Sequence, residues 1–117
     1  MKTNKSEFAI FKKTCQTWIE KLGLKDWHVD IIHDSIDVNN IATCTLGYNS
    51  QTAILTFNIE NILEKRLKAS EIKEVALHEV LELLLADIGC LVESRNFDEN
   101  IYEQTTHKII NRLIKVL

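Results

Sequence analysis

The chain has 117 residues, of which 26% are charged and 45% hydrophobic, as in an average soluble globular domain. This length favours a single domain over residues 1–117, able to bury about two-thirds of its unfolded surface. A formal net charge of −3 without a dense Lys/Arg run argues against nucleic acid or an anionic membrane as the main partner.

The beginning of the chain and its cysteines predict the compartment. The first residues, MKTNKSEFAIFKK, lack the apolar core of a secretory signal, and no apolar run approaches the roughly 20 residues that span a bilayer. Cys15, Cys44 and Cys90 are odd in number and widely spaced, which is typical of free thiols in a reducing compartment. We therefore expect a cytoplasmic protein.

The first half of the chain predicts one helix followed by three strands. Apolar residues recur at steps of three and four up to Leu22, and Gly23 follows at a typical C-cap position. Three later runs alternate in polarity or are rich in β-prone residues. The predicted elements are a helix over about 6–22 and strands over 27–33, 41–46 and 52–57. Turn residues between the last two strands predict a hairpin.

The second half predicts helices. The apolar pattern after Asn58 indicates a short helical lead-in, and Ser70 is a plausible N-cap for the helix that follows. Gly89 can end that helix, and Asp98 or Asn100 can begin the next. The predicted helices cover about 71–88 and about 98–116, with a connection over 90–97. The chain is therefore expected to be an α+β domain with a small, mainly antiparallel three-stranded sheet.

Three ionisable residues interrupt an otherwise apolar stretch of the main helix. In VALHEVLELLLA, which covers 75–86, His78, Glu79 and Glu82 are the only polar residues. Positions 78 and 82 lie on one helix face, and position 79 lies about 100° round from 78. Because a buried unpaired charge is costly, these groups must meet solvent, a partner or a metal. The HEVLE sequence differs from the zinc-peptidase motif H-E-x-x-H at its fifth position, Glu82.

A catalytic zinc site takes three nitrogen, sulfur or carboxylate ligands and leaves the fourth position to water. His78 and Glu82 can supply two, and the last helix offers His107 or Glu103, which are also four residues apart. We favour His107, in which case Glu103 can hold its other ring nitrogen. If Glu103 binds instead, the ligand set is harder and less selective for zinc. Glu79 then fits the role of general base.

The same residues also have a plainer interpretation. Glu74, His78 and Glu82 form an i, i+4, i+8 series that is typical of a solvated helix stripe. Taken alone, His107 is an ordinary surface or capping residue, and Glu103 an ordinary surface acid.

Three segments together resemble small phage- and prophage-encoded metallopeptidases of the minimal zincin type. They are LGLKDWHVDI, EVALHEVLELLL and ESRNFDENIYEQTTHKIINRL, and with the hairpin they cover most of residues 15–117. The resemblance implies a zincin-like domain with an N-terminal helix, a small sheet, a motif helix and a ligand-bearing C-terminal helix. It also implies that Glu82 and His107 belong to a recurring pattern of that group.

The leading hypothesis is a phage-associated, zinc-dependent peptidase that acts on a peptide or protein. An exposed strand edge, expected in the 52–57 arm of the hairpin, would align an extended substrate by β-addition. The alternative is a catalytically inactive zincin-like module used for binding or regulation. A DNA-associated protease is a third interpretation, which the acidic balance of the chain disfavours.

Overall fold

A computed structural model describes residues 1–36, 39–93 and 98–117. It confirms an α+β fold whose first half holds one helix and three strands and whose second half is helical. The elements in chain order are α1 (Lys5–Lys21), β1 (His28–Asp34), β2 (Ala42–Gly47), β3 (Thr52–Asn58), α2 (Ala69–Leu84), α3 (Ala86–Glu93) and α4 (Glu99–Ile114). None of the described helices is long and apolar enough to cross a membrane.

The sheet is mixed, with β3 in the centre and β1 and β2 at its edges. The predicted hairpin is confirmed, because β2 pairs with β3 in antiparallel register. However, β1 pairs with β3 in parallel, so the mainly antiparallel sheet that we predicted is wrong for one of its two strand pairs. The chain leaves β1, crosses to the far edge as β2, and returns between the two as β3. The 52–57 arm is therefore not an exposed edge, which corrects the predicted substrate strand.

The first helix has well-defined ends. Asn4 and Glu7 form a capping box, in which each side chain accepts a hydrogen bond from the backbone N–H of the other at 2.8 Å. At the other end, Leu22 is the C-cap and Gly23 follows with a φ of +66°, a left-handed conformation that favours glycine. The predicted role of Gly23 is confirmed.

The motif helix α2 is anchored by a buried apolar stripe. Its members, spaced by three or four residues, are Ile72, Ala76, Val80 and Leu83. They join the core formed with α1 and the inner face of the sheet. The N-cap is Lys68 rather than the predicted Ser70, because the carboxylate of Glu71 accepts the Lys68 N–H at 3.1 Å. The predicted helical lead-in is wrong as well, since residues 59–68 form turns and irregular backbone.

A turn at Leu85 separates α2 from α3, so the main helix ends earlier than predicted. Gly89 lies inside α3 instead of ending a helix. A Cβ at this position would lie 2.9 Å from the Tyr48 hydroxyl oxygen, so glycine permits the close approach of that ring. The predicted connection over 90–97 begins within α3, and its residues 94–97 lie outside the described parts of the chain.

The last helix begins at Asp98, one of its two predicted starts, and lies at the periphery. The Asp98 side chain accepts the Asn100 N–H at 2.8 Å. Ile109 is the one buried residue of α4. Exposed ion pairs join α4 to the rest of the chain, Lys108 to Asp87 at 3.2 Å and Arg112 to Asp26 at 3.4 Å. Because so little of α4 is buried, its position rests on few apolar contacts.

Candidate functional site

The three polar residues of the motif in α2, His78, Glu79 and Glu82, line a groove of about 750 Å³. Residues 39–44, at the start of β2, contribute one part of the lining. Ile62, Leu63 and Leu67 contribute a second part, and α2 contributes the third. The groove forms here because the buried stripe of α2 faces α1 and the sheet, which leaves Glu74, His78 and Glu82 on the exposed side of the helix.

His78 and Glu82 lie together in this groove, as their spacing predicts. The His78 Nε2 and Glu82 Oε1 atoms are 3.3 Å apart, and the side chains are 69% and 49% exposed. Two zinc ligands at 2.0–2.2 Å in tetrahedral geometry lie about 3.3–3.6 Å from each other. The observed separation thus fits two ligands of one zinc ion, and it equally fits an ordinary i, i+4 ion pair.

Glu79 differs from its two neighbours in being buried, with only 5% of its surface exposed. Among the described residues, its Oε2 atom has no hydrogen-bond partner. Burial raises the pKa of Glu79 to about 8, and the negative charge and the hydrogen bonding of Glu82 add to this rise. Glu79 also lines the groove, so this carboxyl group combines a strong preference for a proton with access to a ligand.

Cys44 is a neighbour of these glutamates that the sequence analysis treated only as a free thiol. It lies on β2, lines the groove and is partly buried. Burial raises the pKa of the Cys44 thiol to about 12, with further contributions from the charges of Glu79 and Glu82. Without a bound metal, Cys44 is therefore protonated and a poor nucleophile. The alternation of β2 was the signal for it, since Ala42, Cys44 and Leu46 share one face.

The two acidic residues that precede the motif also line the groove. Glu71 is engaged, because it caps the N-terminus of α2 and lies 3.2 Å from the Lys65 ammonium. The hydrogen bond from the Lys68 N–H and that from Lys65 lower the pKa of Glu71. Glu74 is exposed and has no ion-pair partner in the described parts of the chain. This exposure agrees with the plainer interpretation of Glu74 as part of a solvated helix stripe.

Glu103 and His107 lie on a different surface. Both are exposed, and they share a shallow depression on α4 with Glu99, Tyr102 and Thr106. The structure thus brings the two α4 residues together on one face, but it does not place either in the groove with His78. Within residues 1–36, 39–93 and 98–117 there is no group of three His, Cys, Asp or Glu side chains that could hold a metal. Two zinc ligands fit, and the third stays a prediction.

Comparison of the chain with protein-family models, with curated proteins and with solved structures finds no match. The resemblance to phage metallopeptidases therefore stays a prediction. Functional conclusions rest on the groove and on the chemistry of the residues that line it.

Proposed function

We propose that the protein is a metal-dependent peptidase with Glu79 as its catalytic residue. One observation carries this proposal, namely the buried Glu79 carboxyl with an unpartnered oxygen in a groove beside the exposed His78–Glu82 pair. A polar atom left unpaired in a protein interior costs about 1–3 kcal/mol, so its retention calls for a ligand that completes its hydrogen bonding.

His78 and Glu82 would hold the zinc ion, with His107, or alternatively Glu103, as the third ligand. In the structure these α4 residues lie on another surface, so the assignment requires α4 to approach the groove. Such an approach would have to release buried Ile109 and the ion pairs of Lys108 and Arg112. Bound zinc would polarise the peptide carbonyl and acidify a water molecule.

Glu79 would accept the proton of the attacking water. Its Oε2 atom is available because no described group donates to it, and burial favours the protonated carboxyl that results. The protonated Glu79 would then return the proton to the leaving amine. The same carboxyl group therefore acts first as the base and then as the acid.

The free edge of β2 is suited to align the substrate. The Asn58 N–H donates to the Ile41 carbonyl at 2.8 Å, which fixes the phase of the antiparallel ladder. In this phase the backbone N–H and C=O groups of Ala42 and Cys44 point away from β3. Both residues line the groove, so an extended peptide added to this edge would run alongside Glu79.

The proposal is tested by replacing Glu79 with glutamine in protein loaded with zinc. Hydrolysis of a quenched fluorescent peptide library should fall by about 100-fold or more, because the general base is lost. Zinc content should be unchanged. The matched control is Glu20→Gln, which changes an exposed acid paired with Lys25 at 3.5 Å outside the groove. Full activity of the Glu79→Gln variant would refute the mechanism.

A second function, an inactive binding module, is favoured by the separation of the α4 residues from the groove. Such a module would purify without stoichiometric metal and keep its thermal stability in chelator. It would still bind peptides in the groove. Metal analysis combined with thermal unfolding, with and without chelator, separates it from the peptidase.

A further inference from the structure

We infer that the groove selects substrates with a Lys or Arg side chain close to the scissile bond, and that Glu74 binds the cationic head of that side chain. The inference rests on the proposed function in taking a peptide as the ligand. It adds a substrate class and a specificity-determining residue.

The first observation concerns the charged residues that line the groove. Apart from His78, they are the four glutamates at 71, 74, 79 and 82, and none of the described lining residues is Lys or Arg. Glu71 is paired with Lys65, and Glu82 with His78. Glu74 is left as the exposed acid without a partner in the described parts of the chain, and it is free to pair with a cation on a ligand.

Apolar groups beside Glu74 carry the second step. Val75 and Leu67 are partly buried, and Ile62 and Leu63 are exposed where they line the groove. Lys and Arg have an aliphatic stem that covers apolar surface while the charged head remains in water. A groove lined by these apolar residues together with an exposed acid matches this shape, whereas an acidic side chain would meet repulsion from Glu74.

Glu79 supplies independent evidence that a ligand binds here. It is 5% exposed, its Oε2 atom lacks a partner among the described residues, and it lines the same groove as Glu74. The groove therefore contains an unmet hydrogen-bonding requirement as well as an unpaired charge.

Helix geometry sets the distance between Glu74 and the proposed zinc ligand His78. Glu74 lies one turn before His78, about 6 Å along the helix axis at 1.5 Å per residue. An extended peptide covers that length with about two residues at 3.3 Å each. The basic side chain is therefore expected within two residues of the bond that is cleaved.

The experiment compares peptides that differ at one position, with Lys, Gln or Glu placed one or two residues from the cleaved bond. For the zinc-loaded protein, kcat/KM should fall in the order Lys, Gln, Glu. Glu74→Gln should reduce the preference for Lys over Gln by roughly two- to fivefold, the range of an exposed ion pair. Glu20→Gln, the control, should leave the preference intact. Added salt should weaken the preference of the unaltered protein because the pair is exposed.

Binding separates a failure of this inference from a failure of the peptidase assignment. Fluorescence anisotropy of the same peptides on the Glu79→Gln variant measures affinity without cleavage. Tighter binding of the Lys peptide that Glu74→Gln abolishes, without cleavage by the unaltered protein, would support the groove preference and refute the peptidase. Cleavage with no charge preference, or a preference that Glu74→Gln leaves unchanged, would overturn the inference and leave the peptidase standing.

Discussion

Two glutamates of this protein are buried to the same degree in opposite surroundings. Glu7, in α1, is 6% exposed, and Glu79, in α2, is 5% exposed. The carboxylate of Glu7 accepts the Asn4 N–H at 2.8 Å, the Arg66 guanidinium at 3.0 Å and the Leu67 N–H at 3.4 Å. Both of its oxygens are therefore used, and it joins the start of α1 to the segment that leads into α2.

Glu79, in contrast, has an oxygen without a donor among the described residues. The charged group that acts on it is the carboxylate of Glu82, which has the same sign. A buried carboxylate is tolerated when donors surround it and is costly when they do not. Burial alone thus does not distinguish a structural acid from a functional one. The distinction lies in the donors, which makes Glu7 part of the architecture and leaves Glu79 available for chemistry.

The largest effect is expected on bound metal, because Glu79, unlike Glu7, has an oxygen that a ligand in the groove can satisfy. Protein purified without chelator should contain about one zinc per chain, the stoichiometry of a single catalytic site. His78→Ala should abolish this zinc, and His107→Ala should do so if α4 completes the site as proposed. His28→Ala, at an exposed histidine of β1, is the control. Zinc content indifferent to both His78→Ala and His107→Ala would show that the site assignment is wrong.

A variant at Glu103, the alternative third ligand on α4, sharpens this result. If His107 is the ligand, Glu103→Ala should retain zinc with at most a 10–100-fold loss of affinity, the usual effect of an outer partner. If Glu103 binds directly, its replacement should abolish zinc, and His107→Ala should retain it.

The next effect is on stability. Replacement by leucine should change the free energy of unfolding in opposite directions at Glu7 and at Glu79. Glu7→Leu should lower the free energy of unfolding by roughly 2–3 kcal/mol, because it removes a capping box and a charge-assisted hydrogen bond. In chelator, Glu79→Leu should raise it by roughly 1–3 kcal/mol, because it removes a buried unpaired polar group. Urea unfolding measures both variants. A shift of the same sign in both would contradict the distinction between the two glutamates.

Contacts between residues that are close in the sequence could be predicted from the sequence. His78 and Glu82 are one turn apart, so their proximity follows from helix geometry alone. The caps at Gly23 and Asp98 are predictable for the same reason, since they depend on neighbouring residues. The start of α2 was predicted wrongly although it too depends on neighbouring residues. Ser70 matches the usual N-cap residue type, but the N-cap is Lys68, whose N–H donates to the Glu71 carboxylate.

Long-range contacts account for what could not be predicted. Besides Asn4, its capping-box neighbour, Glu7 has the partners Arg66 and Leu67, 59 and 60 positions away, and these two contacts have no local signature. The parallel pairing of β1 with β3 depends on which edge β2 occupies, and alternation within a strand does not report it. The direction of α4, and hence the surface on which His107 lies, likewise depends on contacts with distant residues such as Asp26.

The smallest expected effect concerns His33, a neighbour of Glu7. The His33 ring stacks on Phe8 at 4.9 Å between centroids, and its Nε2 atom lies 2.8 Å from the Thr3 hydroxyl oxygen. Burial lowers the pKa of His33 below its usual 6.5, while the charges of Glu7 and Asp34 act in the opposite direction. Below pH 6.5, His33 therefore binds a proton more readily in the unfolded chain than in the folded chain. The free energy of unfolding should fall as the pH drops through this value, until the folded pKa is passed.

His33→Gln should remove this part of the pH dependence, which urea unfolding between about pH 7.5 and pH 5.5 can measure. His28→Gln, at an exposed position of the same strand, is the matched control and should leave the dependence intact. Glu7→Leu should make the fall extend to lower pH, because the larger of the two charge effects that favour protonated His33 is gone. An unchanged profile in the Glu7→Leu variant would mean that its carboxylate acts on the architecture through its hydrogen bonds alone.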